Sequence, residues 1–190
     1  NPENDFVDCL TVDELAAIWG PTSTVQTWAD VRAGWPAESI DLYGPGADSG
    51  TFDYFTEVIN GEVDASRSDY TASEDDNTLV QGISGSKYSL GYFGLAYVTE
   101  NEGKVKAVPV DGGNGCTAPT AEATNSGAYA PLGRPLFVYP SRAALERPEV
   151  AAFFRFYLEN ASALSESVGY IGLGDADMSA SKATLEDALK

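Results

Sequence analysis

The spacing of apolar and polar residues changes period several times along the chain. In LTVDELAAIWG, residues 10–20, Leu15, Ile18 and Trp19 recur at helical spacing, Thr11 stands at the N-cap position with Glu14 three residues on, and Gly20 supplies a stop. This capping box predicts a short helix. Residues 23–40 predict a loop with one weak helical turn ending at Trp35-Pro36, and SIDLYG, residues 39–44, predicts a strand of mixed apolar residues. The glycine-rich GPGADSGT, residues 44–51, then opens onto Phe52, Phe55, Val58 and Ile59, spaced i, i+3, i+6 and i+7. That spacing predicts a helix with one apolar face, ending near Asn60-Gly61.

Residues 62–77 are polar and irregular, and Asn77 is the expected cap of a short helix stopped by Gly85. A strand is predicted around 90–93, a helix after Gly94, and a second strand over 105–110. Residues 111–131 form a loop-rich return, and RPLFVYP, residues 134–140, reads as a short apolar strand framed by prolines. A strong helix over 147–164 with Pro148 near its start, and a polar helix from about 179 to 190, complete the series. Strands and helices alternate without internal repeat, which predicts an α/β fold.

With 190 residues, 43% of them hydrophobic, the chain can build one good core or two small lobes sharing a hinge. Its 29 acidic and 11 basic residues give a net charge of −18. That balance opposes nucleic acid and anionic membrane as partners. The Debye length at physiological salt is roughly 8 Å, so local N–H dipoles can still govern a lined cleft. No window approaches the run of about 20 apolar residues that a membrane span requires. The opening NPENDFVDCL has neither the charged nor the apolar region of a signal peptide, and is expected to begin a mature product or a piece of a longer chain.

The sequence contains no histidine, which excludes Ser-His-Asp and Cys-His catalysis in their ordinary forms and a Cys/His zinc site. An enzyme built here would have to use carboxylates, Lys or Tyr. Cys9 and Cys116 are compatible with two buried thiols or with a disulfide closing a long loop, the latter implying an oxidising compartment.

GPGADSGT lacks the lysine of a Walker A loop, the glycine spacing of a dinucleotide fold and the Gly-x-Ser-x-Gly of a nucleophile elbow. What remains is Asp48, Ser49, Gly50 and Thr51 at a helix start. Two hydroxyls and several N–H groups there can surround a tetrahedral oxyanion with neutral donors, the alternative being an ordinary N-cap by Asp48 or Ser49. Glu74, Asp75 and Asp76 could serve as an acid/base or cation cluster, or as a solvated helix N-terminus favoured by the helix dipole. Arg67 could donate a bidentate, charge-assisted bond to an oxyanion, or pair with Asp64 or Asp69. The aromatics of GYFGLAY read as core, and Asn160-Ala161-Ser162 is a formal glycosylation sequon.

Taken together and in order, GPGADSGTFDYFTE, SRSDYTASEDDNTLVQGISGSKYSLGYFGLAYV and PLGRPLFVYP resemble the substrate-binding protein of the phosphate ABC transporter, the PstS family. The resemblance covers nearly the whole chain and implies a type II periplasmic-binding-protein fold, two α/β lobes joined by hinge strands and closing on phosphate. Under it, residues 1–9 are the first hinge strand, 10–132 the second lobe, and 133–190 the return hinge strand and the C-terminal helices of the first lobe. Ser49, Gly50 and Thr51 match the Ser-Gly-Thr segment that holds phosphate oxygens. Many members carry an Arg beside that segment, where this chain has Pro45, Gly46 and Phe52, and Arg67 is the expected substitute.

Asp48 is the candidate acceptor for the proton of hydrogen phosphate, and Cys9 with Cys116 the expected lobe-stapling disulfide. The family's first lobe, with its Gly-Ser-Ser/Thr turn and proton-accepting Asp, has no counterpart before Asn1, so a missing first lobe is expected. The implied partners are inorganic phosphate, an ABC transporter permease and that first lobe, with no metal, no cofactor and no bond made or broken. The implied location is periplasmic or extracellular, or anchored to the membrane as a lipoprotein. The competing readings are a binding protein for sulfate, arsenate or molybdate, and a carboxylate-dependent phosphoester hydrolase using Glu74, Asp75 or Asp76.

Overall fold

Thr11 starts the first helix as its spacing predicts: its hydroxyl accepts the Glu14 N–H at 3.1 Å, and the Glu14 carboxylate accepts the Thr11 N–H at 2.9 Å. The computed structural model describes residues 1–190. The first half of the chain forms β1 (Leu10–Thr11), α1 (Val12–Trp19), α2 (Trp28–Val31), β2 (Asp41–Gly44), α3 (Gly50–Phe55), β3 (Thr71–Ala72) and α4 (Asp76–Ser84). The second half forms β4 (Ser89–Gly91), α5 (Leu95–Glu100), β5 (Val110–Asp111), β6 (Cys116–Thr117), α6 (Ala121–Asn125), α7 (Arg142–Leu145), α8 (Pro148–Ser167) and α9 (Asp175–Ala188).

Two small sheets organise these elements. In one, β5 pairs parallel with β1 and antiparallel with β6. In the other, β2 is the central strand and pairs parallel with both neighbours, Tyr43 standing opposite Thr71 of β3 and Gly91 of β4. A parallel pair cannot be closed by a tight turn, so each connection needs a crossover. The chain therefore passes from β2 through α3 to β3, and from β3 through α4 to β4 on the far side of β2.

The core lies between α1, the α3 region and this parallel sheet. Trp19 meets Phe55, Tyr70 and Tyr92 edge-on at 6.0, 5.5 and 4.8 Å, and Phe55 stacks on Tyr92 at 3.8 Å. Each such aromatic pair contributes about 0.5–1.5 kcal/mol beyond its area burial. Gly44 makes room for them, because a Cβ at that position would lie 2.9 Å from the Tyr92 ring.

Several elements differ from the sequence reading for physical reasons. Asp75, not Asn77, caps α4, its carboxylate accepting the Asn77 N–H at 3.0 Å from an extended backbone. The helix predicted through Ile59 changes at Thr56 into a π turn, Thr56–Asn60. There the Thr56 hydroxyl donates to the Phe52 carbonyl at 2.9 Å and accepts the Asp64 N–H at 3.0 Å, competing with the α-helical ladder. Within 105–110 only Val110 belongs to a strand, since Pro109 has no N–H to give. The last helix begins at Asp175 rather than 179.

Residues 1–9 carry turns and no strand, with the Val7 N–H tied to the Asn4 side chain at 3.0 Å. Residues 134–140 pair with no strand either, so the apolar strand predicted there does not form. Leu136, Phe137, Val138 and Tyr139 are exposed there, as are Phe153 and Phe156 of α8. No helix is long and apolar enough to cross a membrane.

Cys9 and Cys116 are disulfide-bonded across 107 residues, which decides between the two readings of the cysteines. The bond ties the approach to β1 to the far strand of the same sheet. Removing so long a closure from the unfolded ensemble is worth about 4–5 kcal/mol in the chain-entropy model. Reduction, or the Cys9→Ser, Cys116→Ser double variant, is therefore expected to lower the melting temperature by about 8–20 °C for a chain of this size. A melt indifferent to reductant would contradict that role.

Candidate functional site

The glycine-rich turn lies at the C-terminal end of β2, the middle strand of the parallel sheet. Because β2, β3 and β4 run the same way, the turns leading into α3, α4 and α5 emerge at one edge. They are in contact: the Ser73 N–H donates to the Gly44 carbonyl at 3.1 Å, and the Tyr92 N–H to the Tyr43 carbonyl at 3.3 Å. This is the edge at which open α/β sheets bind ligands, where strand order reverses.

Ser49 is the N-cap of α3, with φ −104° and ψ 124°, and its Oγ accepts the Thr51 N–H at 3.2 Å. Its carbonyl accepts the Asp53 N–H at 3.1 Å. The Gly50 and Phe52 amides and the Thr51 hydroxyl make no hydrogen bond within the protein. Ser49 is thus the N-cap that the alternative reading names, and its hydroxyl stands beside the free Gly50 and Phe52 N–H groups. Asp48 precedes them, exposed and without a hydrogen bond. The Tyr70 hydroxyl donates to the Pro45 carbonyl at 2.8 Å and stiffens the turn from below.

Arg67 does not reach this turn. It is buried, its Nε and Nη2 bind the Asp69 carboxylate at 2.6 and 2.8 Å, and its Nη1 donates to the Ile18 and Val25 carbonyls at 2.9 and 3.0 Å. Every nitrogen of the guanidinium is engaged in joining α1 to the loop before β3. The expectation of an oxyanion ligand at Arg67 is corrected to the alternative pairing with Asp69.

The basic residue in contact with the turn is Arg134. Its Nη2 donates to the Gly50 carbonyl at 3.0 Å, and its guanidinium lies 4.6 Å from the centre of the Tyr54 ring. Tyr54 in turn donates its hydroxyl to the Pro131 carbonyl at 2.6 Å. Sequence reasoning passed over Arg134 because it stands 84 residues from Gly50, and no local pattern links them.

A carboxylate also stands against the turn. The Glu74 side chain rests on Gly46, in space that a Cβ would take. Burial first, then the charges of Asp75 and Glu74, raise the Asp76 carboxyl above its usual range. Asp75 is engaged as the α4 cap, so the cluster forms a helix N-terminus, the second of the two readings of these residues.

Thr51, Tyr54 and Arg134 also face a groove of about 1650 Å³ between the α/β core and the C-terminal segment. Its walls are mostly apolar, with Phe93, Leu136 and Phe154 among them. A single oxyanion would fill little of it.

Comparison with known proteins follows the same lines. A family model described as a PBP superfamily domain matches residues 1–161. Protein SphX of Synechocystis sp. is 49% identical over 176 residues, covering 91% of this chain and 52% of SphX. The phosphate-binding protein PstS of Staphylococcus saprophyticus is 33% identical over 193 residues, covering 100% of this chain and 58% of that protein. The chain thus spans about half the length of the curated relatives it matches. Among solved structures, a possible phosphate binding protein from Planctomyces limnophilus superposes with a TM-score of 0.90 at 51% identity, over 100% of this chain and 68% of that one.

Two measurements check the structural assignment of Arg67. Arg67→Met leaves two buried carbonyls without their donor and is expected to cost about 2–3 kcal/mol of stability. The Arg67 guanidinium holds the Asp69 carboxyl down to about 2. Its unfolded value is about 3.9, so the pair stabilises the protein above about pH 4, and that contribution is lost as pH falls toward 2. Asp69→Asn should flatten the stability curve in that window, and an unchanged curve would contradict the pairing.

Proposed function

This chain belongs to the PBP superfamily and is a homologue of PstS, and we propose that it forms the anion-binding lobe of a protein that captures inorganic phosphate outside the cytoplasm for an ABC transporter permease. The observation that carries the reading is the turn at the head of α3, where the Gly50 and Phe52 amides and the Thr51 hydroxyl are unclaimed beside Ser49. Oriented N–H groups at a helix start hold a tetrahedral anion by hydrogen bonds and by the positive end of the peptide dipoles. Ser49, Gly50 and Thr51 are the donors. Asp48, exposed beside them, is a second acceptor alongside the Asp that the resemblance places in the first lobe, and only hydrogen phosphate, not sulfate, has a proton to give such a group.

Capture requires a second wall. The exposed apolar residues Leu136, Phe137, Val138 and Tyr139 and the broad groove beside them are suited to seat a further α/β lobe, which closes over the turn by a hinge motion. Residues 1–9 and 133–140 are then the two hinge segments, completed as strands by that lobe. Closure is the signal that the permease reads. Binding makes and breaks no covalent bond in this scheme.

Titration calorimetry of the full-length protein at neutral pH tests the reading, with sulfate as the matched oxyanion. Phosphate is expected to bind with Kd of about 1 μM or tighter, and sulfate at least roughly tenfold more weakly. Equal affinity for the two anions, or selectivity unchanged in Asp48→Asn, would contradict the role given to Asp48. Absence of heat with phosphate would contradict the function.

A further inference from the structure

We propose that Arg134, reaching across from the return segment, supplies the full positive charge of the oxyanion site. The inference rests on the phosphate reading above and deepens it. Neutral donors and the dipole of a short helix bring only partial charge to an ion of one to two negative charges. The chain around them carries a net charge of −18, and Glu74 stands against the same turn. A cation beside the donors offsets both costs.

Arg134 has the placement for this. Its Nη2 bond to the Gly50 carbonyl holds the guanidinium within one residue of the free Gly50 N–H. The Tyr54 ring fixes the guanidinium from one face, and the Tyr54 hydroxyl pins the backbone three residues earlier at Pro131. Both contacts come from α3 itself, so the charge is registered to the first turn of the helix that carries the donors. The Nε and Nη1 groups make no hydrogen bond, and no carboxylate lies within ion-pair distance of the side chain. Arg67 differs on every count, being saturated and neutralised by Asp69. Planar N–H groups left over after one anchoring bond are what a phosphate oxygen pair accepts from.

The test separates charge from anchoring. In the full-length protein, Arg134→Gln keeps an amide that can still donate to the Gly50 carbonyl but removes the charge, whereas Arg134→Lys keeps the charge. Calorimetry with inorganic phosphate at low and high salt, alongside thermal melts, is expected to show Kd raised about 10- to 100-fold by Arg134→Gln. Arg134→Lys should recover at least half of that loss on a logarithmic scale. The salt dependence of binding should flatten in Arg134→Gln alone, a change that a purely structural residue would not produce.

Wild-type affinity within twofold in Arg134→Gln, or equal losses in both variants that track their melting temperatures, would overturn the assignment and leave the phosphate reading standing. A wild-type protein silent toward phosphate would overturn both.

Discussion

Parallel pairing of β2 with both of its neighbours is the constraint on which the rest depends. It forces each return through a helix, and it brings the starts of three helices to the same edge of the sheet. Gly44 lets the Trp19, Phe55 and Tyr92 rings close beneath that edge, so the turn above them rests on a packed aromatic floor. The free amides of Gly50 and Phe52 are a consequence of the helix start, and the sheet sets the edge at which that start stands.

Charge is arranged against the obvious expectation for an anion site. Glu74, Asp75 and Asp76 cap or flank α4 at the same edge, and burial with mutual repulsion raises the Asp76 carboxyl. Such a surface repels anions at long range, yet hydrogen-bond donors act at contact, well inside the screening length. On the reading proposed above, recognition rests on donor geometry and one guanidinium rather than on a broad basic field. Arg67 shows that a cation in an acidic chain can be wholly absorbed by architecture.

Much of the fold was legible in the sequence because it is written locally. The capping box of Thr11 and Glu14, the strand before GPGADSGT and the apolar face from Phe52 to Ile59 all depend on residues within a few positions of one another. The alternation of strand and helix led to the right fold class, and the resemblance to PstS to the right family. What was not legible depends on distance or on competition. Arg134 meets Gly50 across 84 residues, and the π turn arises because the Thr56 hydroxyl outbids the helical ladder only when Asp64 folds back on it. The apolar run 136–139 reads as a strand by composition, but strand formation needs a partner edge that composition does not supply.

The central claim is that the head of α3 binds phosphate through its unclaimed amides. Following the backbone amide resonances of the isotopically labelled full-length protein during titration with inorganic phosphate tests it most directly. The account predicts that Gly50 and Phe52 shift furthest and saturate together. Phosphate-dependent shifts centred elsewhere, with these two amides unmoved, would contradict it.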